Sequence, residues 1–410
     1  MSQSGTRTDS DQTPALATIP AQRSPADDPI PAAPAAEPAR TGFGWRAAVL
    51  AMSLYTALRL LCLAAAWFFA TEQHRDLWGL LRKYDAGWYA QIANHGYDSV
   101  VTMKPDGSMG LTNLAFFPLL PGLSALLDPI LPGGAGSAGI LISWLFGAVA
   151  AAGLYAVGSH LRDRTTGVML AAVWAVIPHG FVESMGYSET LFTALAAWSL
   201  YALLRRQWLV AGLLCLLAGL TRPSAAALIL VVMLSALVAA VRRRDGWRPW
   251  VAAVLAPLGL LGYLAWVGDR LGRWDGYFLV QRDAWRMSYD FGAYTVDTIH
   301  GLLTTPGPLA LYAVILVLLV ALGLTAILIV DRWPWQIWLY TLVFFAMAFF
   351  GDSYFNSKAR YLIPAFTLLL PVAAALAKTR RAVAVVVLTV MTLLSAGYGA
   401  YLCLVWTHSP

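Results

Sequence analysis

Long apolar runs dominate this chain, and they leave few folds open to it. A hydrocarbon layer about 30 Å thick is crossed by about 20 apolar residues of helix. Runs of that kind stand at 45–70, 138–160, 166–179, 189–204, 208–220, 223–241, 249–267, 308–330, 335–350, 360–377 and 382–406. Composition agrees. Of the 410 residues, 59% are hydrophobic and 12% charged, where soluble domains carry about 25% charged residues. The expected fold class is all-α integral membrane, polytopic, with about 11 transmembrane helices.

Charge sets the expected orientation. The net charge of +6 is spread over short clusters between apolar runs, so it points to topology and not to nucleic acid. Arg162 and Arg164, Arg205 and Arg206, Arg242 to Arg244, Arg332, and Lys378 with Arg380 and Arg381 make one set of short basic turns. Basic turns face the cytoplasm. The other set of connections, at 71–137, 179–188, 221–222, 268–307 and 351–359, is rich in Asp, Trp, Tyr and Gly and then faces outward. This parity requires that the proline-interrupted piece 115–132 stay re-entrant or interfacial. Residues 1–41, rich in Pro, Ala, Ser and Asp, read as a disordered cytoplasmic tail. With no basic start followed directly by an apolar core there, the first span is expected to stay uncleaved. The rest of the chain, 42–410, reads as one transmembrane domain. Cys62, Cys215 and Cys403 all fall inside apolar runs, as small buried residues do.

Two runs, 166–179 and 208–220, are short for a full crossing, about 20 Å of helix. Polar backbone below the lipid surface survives where it lines a water-filled cavity or is buried in protein. The outer ends concerned, PHGFVESMGYSET and LTRPSA, therefore predict a crater holding Glu183, Tyr187, Glu189 and Arg222. Ionisable groups at that depth are functional candidates. The plainer alternatives are that Glu189 caps a helix and that Arg222 snorkels to the interface.

The stretch LRKYDAGWYAQIANHGY at 81–97 lies in the first outer loop. Asp85, Trp88, Tyr89, Ile92 and Gly96 fall on one helical face, with Asp85 at its start. A helix N-terminus favours an ionised carboxylate. A carboxylate over a cavity, with Arg82 and Lys83 close in sequence, suits proton removal from a hydroxyl while a phosphate leaving group is neutralised. The alternative is an interfacial helix with an aromatic belt, capped by Asp85. The histidines show no metal-ligand spacing; His95 and His179 lie in the outward set and are candidates to touch substrate. No Gly-rich phosphate loop enters a helix, which argues against a nucleotide site.

Several segments, in order, resemble the GPI mannosyltransferase II (PIG-V-like) family: YDAGWYAQIANHGYD, NLAFFPLLPGLSALL, IPHGFVESMGYSETLFTALAAWSLYAL, AGLTRPSA and SKARYLIPAF. Together they span most of residues 45–377. The resemblance implies a GT-C-type membrane glycosyltransferase with a large first extracytoplasmic loop, 71–137, carrying short interfacial helices. It implies a polyprenyl-phosphate sugar donor, usually mannose, with Asp85 as catalytic base and inversion at the anomeric carbon. Arg222 and Arg360 match the family's turn and late block and become the donor-phosphate clamp, assisted by Lys358 and Tyr361, with Arg82 and Lys83 nearby. Trp88, Tyr89, His95, Glu183, Tyr187 and Glu189 form the candidate substrate-binding set; Trp88 and Tyr89 fit a membrane belt equally well. No cofactor or resident metal is expected, a divalent ion on Asp85 with Glu183 or Glu189 being the less favoured arrangement. The 268–307 loop suits an acceptor lid or a solvated loop. Partners are membrane lipids, the donor, and a lipid or glycan acceptor of the cell envelope. Tyr84 stands where the family has Trp, and Pro223 and Ala225 stand where it has Ser and Asn, which leaves the acceptor open. The rival class is a transporter or lipid flippase, though no paired broken helices in two similar halves appear.

Overall fold

In lipid, a backbone must satisfy its own hydrogen bonds, and helix does so within one segment. The computed structural model describes residues 44–105 and 107–410, so the tail at 1–41 lies outside them. Among the described residues there are helices and two isolated β-bridges, with no strand. In chain order the α-helices are α1 (Trp45–Glu72), α2 (Leu77–Leu80), α3 (Asp85–His95), α4 (Leu119–Leu127), α5 (Gly134–Leu161), α6 (Arg164–Ala175), α7 (Glu189–Leu204), α8 (Trp208–Gly219) and α9 (Ala225–Val241). They continue with α10 (Arg248–Arg270), α11 (Gly276–Leu279), α12 (Ala293–Thr304), α13 (Leu309–Val330), α14 (Trp335–Phe350), α15 (Lys358–Tyr361), α16 (Leu370–Ala377) and α17 (Arg381–Leu404).

Each expected span contains helix, although 360–377 is broken at 362–365. Five helices, α1, α5, α10, α13 and α17, are long and apolar enough to cross a membrane. A sixth crossing would join Phe355–Tyr361 to Phe366–Ala377, which meet at a 72° bend. The shortness expected of 166–179 and 208–220 extends further than the sequence suggested: α7, α9 and α14 have 16, 17 and 16 residues. The 115–132 piece yields only α4 and a 3₁₀ turn at Asp128–Ile130. Twelve residues of helix, Leu119–Ile130, reach about 18 Å, the same length as α6 or α8. α4 packs against α3 and α5, and the Leu119 N–H donates to the Leu220 carbonyl at 2.9 Å.

Consecutive short helices run back and forth, which fixes where their ends fall. α7 starts at Glu189 and finishes at Leu204, just before Arg205; α8 returns toward Thr221 and Arg222; α9 leaves again toward Arg242. The acidic and aromatic connections thereby gather at one end and these basic turns at the other. Small residues let the helices approach, as in other membrane bundles. A Cβ at Gly158 of α5 would lie 2.8 Å from the Gly167 Cα of α6. Gly186 does the same for the site: a Cβ there would sit 3.3 Å from the Ala86 Cβ of α3 and 3.5 Å from the Gly139 carbonyl carbon of α5. The first loop is braced by its own polar residues. Asp98 Oδ2 accepts from the Asn113 N–H at 3.0 Å and the Thr112 hydroxyl at 2.8 Å, while Asn113 Nδ2 donates to the Gly96 carbonyl.

Candidate active site

A cavity of about 420 Å³ opens among the acidic and aromatic connections. Its walls come from segments 84–89, 115–117, 188–189, 221–223, 277–287, 354–361 and 407–409, and none of the basic turns contributes a lining residue. Asp85 enters from the first turn of α3. The residue before it, Tyr84, has φ +57°, a region that bulky residues rarely occupy. This sharp entry turns α3 so that Trp88 and Tyr89 line the cavity beside Asp85. The Tyr89 hydroxyl donates to Ser188 Oγ at 3.0 Å and so ties α3 to the start of α7.

Asp85 does not cap its helix, since no side-chain capping bond is made at the α3 N-terminus. Its Oδ2 accepts instead from Arg360 Nη1 at 2.8 Å. Arg360 Nε lies 3.6 Å from Glu189 Oε1, and Arg222 Nη1 lies 3.0 Å from the same oxygen. Two carboxylates and two guanidinium groups thus form one chain along the cavity floor. The Arg360 guanidinium also sits over the rings of Tyr187 and Tyr361, 5.2 and 5.4 Å from their centroids, contacts that hold a planar cation in place. Burial raises the Asp85 carboxyl above the ordinary carboxylate range, with Arg360 pulling against it. Arg222 Nε and Nη1 and Arg360 Nε are buried donors without an aligned hydrogen bond. Donors in that state favour an incoming anionic oxygen.

The walls are aromatic. Trp88 stacks on Phe116 at 5.8 Å, and Trp285 meets Trp88 and Phe116 edge-on at 5.4 and 5.3 Å. Trp285 arrives from the 268–307 segment, which packs on the first loop: its Nε1 donates to the Thr112 carbonyl at 3.0 Å. Just before it, Val280–Ala284 forms a π-helical turn that places Gln281 in the cavity wall. Such turns are frequent at functional sites. At the far end of the chain, Ser409 Oγ accepts from Arg360 Nη1 at 3.3 Å, and its carbonyl accepts from Asn356 Nδ2 at 2.7 Å.

The sequence-derived candidates separate into two groups. Asp85, Trp88, Tyr89, Glu189, Arg222, Arg360 and Tyr361 line the one cavity. Tyr187 stands behind Arg360, buried, as a ring for its guanidinium. The other six are elsewhere. Glu183 lies in the closed interior, its Oε2 4.0 Å from Arg59 Nε of α1. Lys358 donates from Nζ to the Ala348 and Gly351 carbonyls at 2.9 and 2.6 Å; the open carbonyls at the end of α14 claim the ammonium that the sequence assigned to phosphate. Arg82 Nη2 donates to Ser137 Oγ at 2.7 Å, and its guanidinium sits over the Trp78 ring. Lys83 faces a different cavity. His95, in the last turn of α3, is exposed and lines neither cavity; nor does His179, which is buried beside Tyr398. Among the described residues no group of three or more His, Cys, Asp or Glu side chains is placed to hold a metal ion.

Sequence reasoning did not single out Trp285, Gln281, Tyr277 or Met287 as individual residues, nor the terminal Thr407, His408 and Ser409. The aromatic density of 268–300 was the available signal for the former. The sequence carried none for the latter.

No family model matches the chain, and no curated protein matches it. Solved structures do. ArnT from Cupriavidus metallidurans bound to undecaprenyl phosphate is similar at 14% identity and TM-score 0.48, over 84% of this chain and 75% of that one. The Archaeoglobus fulgidus oligosaccharyltransferase in its apo form is similar at 13% identity and TM-score 0.48, over 87% of this chain and 56% of that one. The same oligosaccharyltransferase with Zn and sulfate gives 15% identity and TM-score 0.47, over 87% of this chain and 53% of that one. The chain spans about half the length of that second protein.

Proposed function

We propose that the chain is a GT-C-type membrane glycosyltransferase that moves a sugar, most often mannose, from a polyprenyl-phosphate donor to a lipid or glycan hydroxyl. The observation that carries this reading is the Asp85–Arg360–Glu189–Arg222 chain on the floor of one aromatic-walled cavity. Asp85 Oδ2 is held by Arg360, and no hydrogen bond to Oδ1 is made among the described residues, which leaves that oxygen to receive a proton. The acceptor O–H gives its proton to Asp85 as its oxygen bonds to the anomeric carbon. The bond from that carbon to the phosphate oxygen breaks on the opposite side, and the lipid phosphate leaves with the electron pair. One displacement inverts the anomeric centre. Arg222 and Arg360, with buried donors that make no aligned hydrogen bond, neutralise the phosphate as its charge develops. Trp88, Phe116 and Trp285 offer ring faces to the sugar or to the first isoprene units.

On this reading the protein is a multi-pass cell-membrane enzyme, with the basic turns and the N-terminus cytoplasmic and the cavity extracytoplasmic. The 268–307 segment forms the acceptor side of the site. The test supplies the purified protein with radiolabelled polyprenyl-phosphate-mannose and a membrane lipid extract. Transfer by wild type and its loss in Asp85→Asn are the expected results; no transfer by wild type, or undiminished transfer by the variant, sinks the reading. Running other polyprenyl-linked sugars in parallel identifies the donor.

A further inference from the structure

A second cavity, of about 190 Å³, shares Tyr84 and Thr407 with the first as a common wall. Two cations line it: Arg75, just past the end of α1, and Lys83, between α2 and α3. No acidic side chain lines it, and neither cation enters an ion pair or side-chain hydrogen bond among the described residues. That sets the pair apart from Arg222 and Arg360, which each face a carboxylate. Pro410, which is buried, also lines the cavity and makes no ion pair with either cation. Burial lifts the Tyr84 phenol above its ordinary value, and the charge of Arg75 pulls against that rise.

The remaining walls are apolar, among them Leu80, Phe181, Met185 and Leu402. The cavity sits between the ends of α1 and α17, which pack together and are span-length helices with 28% and 22% of their apolar windows buried. Both helices therefore turn most of their apolar surface away from the protein, toward the place lipid occupies around a spanning helix. A volume of 190 Å³ holds roughly six waters at about 30 Å³ each, room for a phosphate group and its first ester carbons.

We propose that this second cavity binds a phosphate group, held by Arg75 and Lys83, and supplied by an anionic lipid headgroup or by free phosphate. The two unpaired cations give the charge, and the apolar wall beside α17 gives the path for an acyl or isoprenoid chain. The site is separate from the one described under the proposed function and does not depend on glycosyl transfer.

Cys403 lies half-buried in the wall and serves as a local reporter, while Cys62 and Cys215 are buried. The full chain in dodecyl maltoside is treated with a maleimide in the presence of dioctanoyl phosphatidic acid, of inorganic phosphate, or of dioctanoylglycerol, which lacks the headgroup. Phosphatidic acid is expected to slow Cys403 alkylation, and the Arg75→Ala/Lys83→Ala variant to need at least tenfold more for the same protection. Both cations are exposed, so the variant keeps its fold, which its melting temperature checks. Protection by phosphatidic acid alone assigns the site to lipid; protection by inorganic phosphate as well assigns it to phosphate from either source. Equal protection by dioctanoylglycerol, or protection unchanged in the variant, overturns the proposal. Titration calorimetry of the two proteins with phosphatidic acid is the second measurement, and equal affinities there overturn it as well. Asp85→Asn is expected to leave protection intact, which keeps this result distinguishable from failure of the transfer reaction.

Discussion

Two guanidinium–carboxylate clusters lie buried in this chain, and they have opposite surroundings. In the first, Asp85, Glu189, Arg222 and Arg360 line an open cavity, and a quarter of the Asp85 side chain stays exposed. In the second, Arg59 of α1 faces Glu183 at 4.0 Å with 1% and 0% exposure, and its hydrogen bonds go to Ser184 Oγ and the Ala175 carbonyl. The sequence placed Glu183 and Glu189 in one crater because both fall in the outer end PHGFVESMGYSET. The 3₁₀ turn at Gly180–Ser184 folds the first back into the bundle before α7 presents the second. Charge at membrane depth therefore marks two different devices. One offers groups to a ligand; the other pins a non-helical segment whose far end carries Tyr187, Ser188 and Glu189.

Removing the carboxylate of the open cluster gives the largest expected effect. Asp85→Asn keeps the shape and the contact with Arg360 but loses the base, so transfer should fall by about 10²–10⁴-fold with an unchanged melting temperature. A parallel fall in melting temperature would make Asp85 a structural partner and erase the contrast. The closed cluster should respond the other way. Arg59→Met removes the hydrogen bonds to Ser184 and the Ala175 carbonyl at once, and each buried polar group left unsatisfied costs about 1–3 kcal/mol. Thermal unfolding in detergent reads this directly. Arg360→Lys comes next: it keeps the charge but loses the fork joining Asp85 to Glu189, and transfer should drop about 10–100-fold, in line with the loss of about 1.5–3 kcal/mol from a charge-assisted hydrogen bond. A transfer assay at saturating donor measures it.

The pH dependence sharpens the same contrast. Burial raises Asp85, and a base acts only when ionised. Transfer should therefore rise with pH through a midpoint above the ordinary carboxylate value of about 4. A rate profile already flat from pH 4 upward would show that Asp85 is not the titrating base.

Much of this was legible in the chain because a membrane protein writes its architecture in local composition. Apolar runs specified the helices, and the proline-interrupted 115–132 yields only the short α4 and a 3₁₀ turn. The 3.6-residue spacing of Asp85, Trp88 and Tyr89 placed them on one face of α3. Long-range pairing was less legible. Nothing near Lys358 says that its ammonium will close the end of α14, ten residues back along a chain that reverses at Gly351. Nothing near Ser409 says that it will reach Arg360 and Asn356. Arg82 and Lys83, adjacent in sequence, diverge to Ser137 and to a separate cavity because residues 81–84 form a tight turn instead of helix.

The smallest expected effect on activity belongs to Glu183→Gln, and it separates the two clusters most finely. Burial pushes the Glu183 carboxyl up to about 8, with Arg59 opposing. Its value in the unfolded chain is the ordinary 4.5, so the folded protein holds a proton there that the unfolded chain has released across most of that interval. Stability is then highest at low pH and falls as pH rises toward about 8, because the unfolded state binds fewer protons. Glutamine copies the neutral carboxyl in size and in its acceptor, so transfer at pH 6 should stay within about twofold of wild type, and the melting temperatures should be nearly equal at pH 4.5 and below, where the carboxyl is still largely protonated in both states. As pH is raised from 4.5 to 8, wild type should lose more melting temperature than Glu183→Gln, and the gap should stop widening above about 8. Melting curves at both pH values, alongside the transfer assay, measure the whole prediction. A loss of transfer as deep as that of Asp85→Asn, at equal stability, would return Glu183 to the substrate-binding set and merge the two clusters into one functional unit.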